Sequence, residues 1–449
     1  MYQQNRYYEV TPKIVRADCT TKITIKPLYE HCKFTEPVYE VSCIALQHEG
    51  QGENYHTALQ TASVSPENGC ISIEFTFASE QEHCIMLKKP NDEYSFMDFR
   101  IYSLREDLFQ LKAFKGDFHM HSNYSWDGTE TPGFVAAHCR KLGLDIMAVT
   151  DHHTYAGSVN AREVYKDLDI DLTICGGEEI HPEGTRLHIV NFGGLKSINE
   201  MIKIDSEKYS REVDVIRENI TSVKDEYARN ECAVSLWCFD KIREVGGLGF
   251  LCHPYWLWKY SDPRNHDMFG YYISEDVISY LIEKPYFDAM EIVSGCYKYY
   301  QERLFLQISR YYGETAKGKS IPIVGVSDGH RCENGELYGW YYTIIFAKSN
   351  KLNDIQNGIK ACMSVAVESI PDESIVQNEQ PERNFRIHGP FRLVKYAYFL
   401  SREVFPRHDE MCYEEGQQML SHLEGNPDAT DRLSKLKGQT TKYMKKIWA

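Results

Sequence analysis

Between residues 117 and 330, a series of short apolar runs each ends in histidine or an acidic residue, and this recurrence constrains the chain more than any other feature. Ile146-Met147-Ala148-Val149-Thr150 runs into Asp151-His152-His153, and Leu172-Thr173-Ile174-Cys175 precedes Gly176-Gly177-Glu178-Glu179. Leu248-Gly249-Phe250-Leu251-Cys252 leads into His253-Pro254, and Ile323-Val324-Gly325-Val326 into Ser327-Asp328-Gly329-His330. His188 sits inside the apolar Leu187-His188-Ile189-Val190. His119 and His121 stand two apart after Asp117, so on a strand they project from one face. Taken alone, such a pair is only two polar residues on a strand. Unrelated strands that all deliver His, Asp or Glu at their carboxyl ends build a site as an α/β barrel does.

The apolar runs alternate with helical segments, the rhythm of an α/β barrel or of a sheet with parallel strands. Thr131-Pro132 offers a helix start, Phe134 to Leu142 carry the helix, and Gly143 stops it. Ahead of Asp117 the period is two: Ile71, Ile73, Phe75 and Phe77 alternate with polar residues, as does the stretch around Ile23 and Ile25. Pro66-Glu67-Asn68-Gly69 reads as a turn between such strands. These patterns divide the chain into a β-sandwich-like module over 1–112, a metal-binding barrel over 113–350 and a helical extension over 351–449, where Phe391, Leu393, Tyr396 and Leu400 form an apolar stripe. Two insertions interrupt the barrel. Ser197 to Glu244 is charged and helical and reads as a solvated outer element or oligomer contact; Tyr255 to Tyr286 is aromatic and reads as a pocket wall, a lid or plain packing.

With 449 residues and 42% hydrophobic content the chain has room for a large core and appendages. The excess of 65 acidic over 50 basic residues, a net charge of −15, argues against a broad surface for long nucleic-acid polymers. A short substrate stays compatible, because bound cations supply their own field. The fourteen cysteines form no CxxC pair, which speaks against a zinc ribbon or a disulfide scaffold and fits a reducing cytoplasm. The N-terminus lacks a signal-peptide core, and no apolar run reaches membrane-spanning length, so a soluble cytoplasmic protein with no membrane partner is expected.

The segments HMHSNYSWDG, VTDHH, GGEEI, LHIVNFGG, LCHP and VSDGH, in this order between Lys115 and Phe346, resemble the successive motifs of the polymerase-and-histidinol-phosphatase (PHP) family of metal-dependent phosphoesterases. The resemblance implies a distorted seven-stranded β/α barrel holding two or three divalent metals at its strand ends. It implies that His119, His121 and Asp328 ligate one metal, that Glu179 bridges to a neighbour, that Asp127 and His152 hold a second, and that His188, His253 and His330 complete the cluster. Either Glu178 or Glu179 can be the bridge; Glu179 is favoured because it directly precedes Ile180, as in the family pattern. Two departures stand out. His153 occupies the place after the TDH motif where many relatives carry an acidic residue, and the aromatic segment with Tyr255, Trp256, Trp258 and Tyr260 has no family assignment.

Imidazoles combined with carboxylates suit Mn, Fe or Zn rather than a thiolate site. Paired metals lower the pKa of a bridging water and neutralise charge on a phosphoryl group, so the expected activity is hydrolysis of a phosphomonoester or short phosphodiester by a metal-bridging hydroxide. The expected partner is a small phosphorylated molecule, a nucleotide or a short oligonucleotide. His253 and His153 are candidates for the acid that protonates the leaving oxygen. Arg331 and Arg186 are candidates for phosphate contact, each with a solvated surface role as the plainer reading. His181 lies close to Glu179 in sequence, and Glu291 is a candidate for orienting a ligand histidine. Two alternatives stay open: hydrolysis of a nonphosphate bond such as an amide, and a noncatalytic binding protein with a structural metal cluster.

Overall fold

Ile71–Phe77 alternates strictly between buried and exposed positions, and its inward side chains Ile71, Ile73, Phe75 and Phe77 form one wall of an apolar core. The computed structural model describes residues 4–47, 60–90, 96–183, 185–256, 258–261, 268–271, 273–283, 286–295, 301–332, 338–371 and 383–448. They fall into two units: Met1–Lys112 with Lys395–Met411 and Gly438–Ala449, and Ala113–Val394 with Cys412–Lys437.

In the first unit, the antiparallel strands Tyr8–Thr11, Cys19–Pro27 and Ile71–Phe77 make one sheet. Ile14–Arg16, Phe96–Leu104, Gln81–Lys88, Tyr39–Ala45 and Gln60–Val64 make a second. Both sheets contribute to one core, from Ile23, Ile25 and Ile73 on one side to Val41, Ile85 and Ile101 on the other. Asn68 and Gly69 take positive φ between the bridged residues Glu67 and Cys70, the backbone an Asn-Gly loop permits. The buried Lys13 is matched by Glu403 at 2.7 Å.

The second unit holds a six-stranded sheet in the order Thr173–Cys175, Ile146–Ala148, Lys112–Asp117, Tyr341–Ala347, Ser364–Pro371 and Arg383–His388. A five-stranded sheet follows the order Gly177–Ile180, Ile189–Phe192, Leu248–Leu251, Ala289–Val293 and Ile323–Gly325. Phe118, Ala148, Phe192, Phe250, Val324 and Ile345 pack in one cluster drawn from the strands of both. Parallel bridges between Met120 and Gly329 and between His152 and Glu179 link strand ends.

Two expectations are corrected here, and the helical C-terminal extension is present with two strands added to it. The strand Ile189–Phe192 is antiparallel to both neighbours; among the described residues no helix separates it from Gly177–Ile180, and a parallel pairing needs a long crossover. The extension after 351 is helical from Phe391 onward as expected, but Ser364–Pro371 first pairs antiparallel with Tyr341–Ala347, and Arg383–His388 pairs antiparallel with Ser364–Pro371. The charged insertion is solvated only in part: Ser206–Asn219 buries just Val213, whereas Glu226–Glu244 buries every residue from Glu231 to Phe239, as a helix covered on all sides does. The helix Pro132–Lys141 forms as read, with the Thr131 side chain accepting from the Phe134 N–H and Gly143 at φ 94° past its end.

Candidate metal centre

Strand alternation sends Glu178 and Glu179 to opposite faces. Glu178 is buried among donors: Asn191 Nδ2 at 3.1 Å, Ser197 Oγ at 2.7 Å, Ile198 N at 2.5 Å and Asn199 Nδ2 at 2.9 Å. It anchors the start of the helix Ile198–Ile204. Glu179 faces the other way, into a ring of imidazoles. Its Oε2 lies 3.3 Å from His119 Nε2, 3.4 Å from His121 Nε2, 2.8 Å from His152 Nδ1 and 3.3 Å from His181 Nε2. Its Oε1 lies 2.8 Å from His188 Nδ1 and 3.5 Å from His253 Nε2.

Two further carboxylates flank this ring. Asp328 Oδ1 is 3.3 Å from His119 Nε2 and 3.1 Å from His121 Nε2. Asp127 Oδ2 is 3.4 Å from His152 Nε2 and 3.2 Å from His330 Nε2, so His330 joins the Asp127 side, with its ring stacked on His121 at 4.1 Å. His330 Nδ1 donates to the Asp328 carbonyl at 2.8 Å. Asp328, His253 and His153 all adopt positive φ, at 49°, 21° and 58°. Non-glycine residues held there cost energy, and such strain concentrates where side-chain aim matters.

Support comes from behind. Glu291 Oε1 meets His119 Nδ1 at 2.7 Å, and Oε2 accepts from the His253 N–H at 2.9 Å. Ser125 Oγ contacts His121 Nδ1, the His152 N–H and Asp151. A Cβ on Gly176 would come within 1.9 Å of Tyr155 Oη, so a larger residue there has to displace that phenol.

Burial and charge pull these groups apart. Burial drives His121 and His188 down to about 3. Burial also opposes charge on His119, His152 and His330, yet neighbouring carboxylates prevail. Glu291, Glu179 and Asp328 hold His119 well up, Glu179 and Asp127 hold His152 at about 10, and Asp127 and Asp328 raise His330. Conversely Glu179, Asp127 and Asp328 stay ionised far below the usual carboxylate range despite burial, because imidazoles surround them.

The expected residues His119, His121, Asp127, His152, Glu179, His188, His253, Asp328 and His330 therefore come together. His181 joins them, with Nε2 3.0 Å from His152 Nδ1 and its ring stacked on His188 at 3.5 Å. Its nearness to Glu179 in sequence was the available signal, but the loop position concealed its direction. His153 is exposed, its ring 4.9 Å from that of His181, and its carbonyl accepts from Lys203 Nζ at 3.1 Å. Arg331 is exposed directly after His330. Arg186 is engaged elsewhere: Nε and Nη2 donate to the buried Glu231 at 3.2 Å each, and the guanidinium lies over Tyr227. In the aromatic segment, Trp256 lies 5.0 Å from His253, with the Arg303 guanidinium 4.0 Å above it. The side chains of Trp258 and Tyr260 lie outside the described residues. Trp126, 83% exposed, stacks on His152 at 6.0 Å.

The donor set fits divalent metal ions. Both Glu179 oxygens, His119 Nε2 and Asp127 Oδ1 are buried without a hydrogen bond, although imidazole nitrogens crowd Glu179. Buried polar atoms left so are costly, and a shared cation is what such convergent oxygens and nitrogens accommodate. His119, His121 and Glu179 form one group of suitable spacing; His119, His253 and Asp328 form another, and His121, Asp127, His152 and His330 a third.

Fold and site thus define a mixed α/β protein with a histidine–carboxylate centre suited to metals. Residues 117–232 match the family model of the PHP domain, and the chain carries that domain. Over 89 residues it is 37% identical to the DNA polymerase/3'-5' exonuclease PolX of Bacillus subtilis, covering 19% of this chain and 15% of that protein. Over 80 residues it is 31% identical to an uncharacterized protein of Methanocaldococcus jannaschii, covering 16% of this chain and 46% of that one. The matches therefore span less than half the length of either relative. Among solved structures, a two-domain protein from Bacteroides vulgatus containing a predicted PHP-like metal-dependent phosphoesterase is 17% identical, with a TM-score of 0.37 over 62% of this chain and 76% of that one. Among the described residues no helix is long and apolar enough to cross a membrane.

Proposed function

We propose that this protein is a metal-dependent hydrolase of phosphomonoesters or short phosphodiesters in a small molecule, nucleotide or oligonucleotide. The observation that carries this reading is the Glu179 carboxylate ringed by six imidazoles, with Asp127 and Asp328 alongside. Two or three divalent ions, Mn, Fe or Zn, fit the number and kind of donors. When bound, they supply positive charge to phosphoryl oxygens and lower the pKa of water. Glu179, from its central place, holds the groups around it in register, and Glu291 and Ser125 orient His119 and His121. His153, exposed beside the cluster, and His253, buried against it, are the two side chains placed to pass a proton to a leaving oxygen. Arg331 offers a charged fork to a phosphate arriving from solvent. The bridges Met120–Gly329 and His152–Glu179 support closure of the strands into a seven-stranded barrel with the centre at its carboxyl end. The described cysteines, all free thiols, fit a cytoplasmic setting.

The test is the metal content of the purified protein together with phosphate release from a panel of phosphoesters in added Mn, Fe or Zn. More than one bound metal with metal-dependent phosphate release supports the reading. A loaded centre that releases no phosphate shifts it to hydrolysis of another bond or to a binding role.

A further inference from the structure

Ser125 has three polar neighbours and one proton to give. Its Oγ lies 2.9 Å from Asp151 Oδ1, 2.9 Å from the His152 backbone N and 3.1 Å from His121 Nδ1. The His152 N–H is a donor, so it occupies one Oγ lone pair. Asp151 Oδ1 already accepts the Ser122 N–H at 2.6 Å and acts as an acceptor there. A hydroxyl supplies one donor and two acceptor positions. The Ser125 proton therefore goes to Asp151, and the remaining lone pair of Oγ must receive a hydrogen from His121 Nδ1. The opposite arrangement would set oxygen lone pairs against each other at 2.9 Å in a buried site.

We propose that Ser125, held by Asp151, is a positioning residue that keeps the hydrogen of His121 on Nδ1 and so presents its Nε2 lone pair to a cation shared with Glu179 and Asp328. Nε2 faces those carboxylates at 3.4 and 3.1 Å. The arrangement parallels that of His119, whose Nδ1 meets Glu291. It uses a neutral hydroxyl in place of a carboxylate, so the two histidines of one strand end are fixed by different chemistry. Asp151 also takes the Ser122 hydroxyl at 2.7 Å and thereby ties the loop carrying Asp127 to the strand end carrying His152. The proposal rests on the reading of this centre as a metal site.

The test uses the full chain stripped of metal and titrated with Zn(II) or Mn(II) by calorimetry, which needs no substrate. Ser125→Ala should weaken binding by about tenfold or more, the scale for loss of a group that orients a metal-bound histidine. Ser125→Thr, which keeps the hydroxyl, should restore most of it. Wild-type affinity in Ser125→Ala, or a folded Ser125→Thr as weak as the alanine variant, overturns the proposal. Long-range nitrogen-15 spectra of histidine-labelled wild-type protein, with His121 assigned by its loss in His121→Gln, give a readout independent of how the alanine variant folds. A protonated Nδ1 on His121 in the metal-free chain supports the assignment, and a bare Nδ1 with the hydrogen on Nε2 overturns it. Absence of phosphoester hydrolysis would bear on the proposed reaction and leave both of these readouts intact.

Discussion

Glu291 reaches Nδ1 of His119 at 2.7 Å from a strand far along the chain, and the other oxygen of the same carboxylate holds the His253 N–H. A carboxylate behind a ligand histidine fixes its tautomer and raises its basicity, and its loss costs metal affinity on the order of 10–100-fold. Glu291→Ala should weaken metal uptake by that factor, and Glu291→Gln by less, because an amide oxygen still accepts from Nδ1. Equilibrium dialysis against metal buffers checks both, and equal affinity in all three proteins would remove Glu291 from the centre.

Metal uptake should release protons. Carboxylates hold His119, His152 and His330 above the ordinary imidazole value, His152 at about 10, so the His152 ring carries a proton at neutral pH that ligation must displace. Affinity should therefore rise with pH toward the value for His152. The same shift stabilises the metal-free fold. That contribution is complete below the ordinary value of 6.5 and is lost as pH rises through about 10. Calorimetry in buffers of different ionisation enthalpy counts the protons at pH 7, and a count of zero contradicts the raised values.

Arg331 tests phosphate contact apart from metal binding. Its side chain is exposed next to His330. Arg331→Ala should raise KM for phosphoesters about three- to tenfold, below the range for a buried charged hydrogen bond because solvent screens it. Metal content should stay at the wild-type value. Unchanged KM returns Arg331 to the role of a surface residue.

The cluster was legible because strand periodicity and strand ends are local properties: His119 and His121 share a face by spacing, and Asp328 follows an apolar run. Direction in loops was not. His181, directly after its strand, turns inward and His153, five residues past its own, turns outward, with contacts to His188 and Lys203 from other segments. Arg186 read as a phosphate contact because Glu231, its partner, comes from a helix 45 residues on. The antiparallel strand after His188 and the two strands after residue 363 depend on pairing partners, which no single segment encodes.

Arg140 makes the same point in terms of stability. It is wholly buried, with Nη1 donating to the Leu144 carbonyl at 2.9 Å and to Asp145 at 3.2 Å, and Nε donating to Glu415 at 2.8 Å. Two carboxylates around one guanidinium offset much of the cost of burying it, and Glu415 additionally accepts the Asp171 N–H. Glu415→Ala removes one carboxylate and leaves the buried cation underpaired, which costs about 3–5 kcal/mol. Glu415→Gln keeps an acceptor in place and should cost less. Replacing both ends, Arg140→Met with Glu415→Leu, should recover only part of the loss, because buried Asp145 then lacks its cation and the Asp171 N–H loses this acceptor. Denaturant unfolding of the full chain, read on the transition of the unit that contains both residues, measures each variant. A loss below about 1 kcal/mol for Glu415→Ala, the scale of an exposed pair, would mean that the guanidinium finds water or another partner, and the buried ion pair would no longer account for the burial of Arg140.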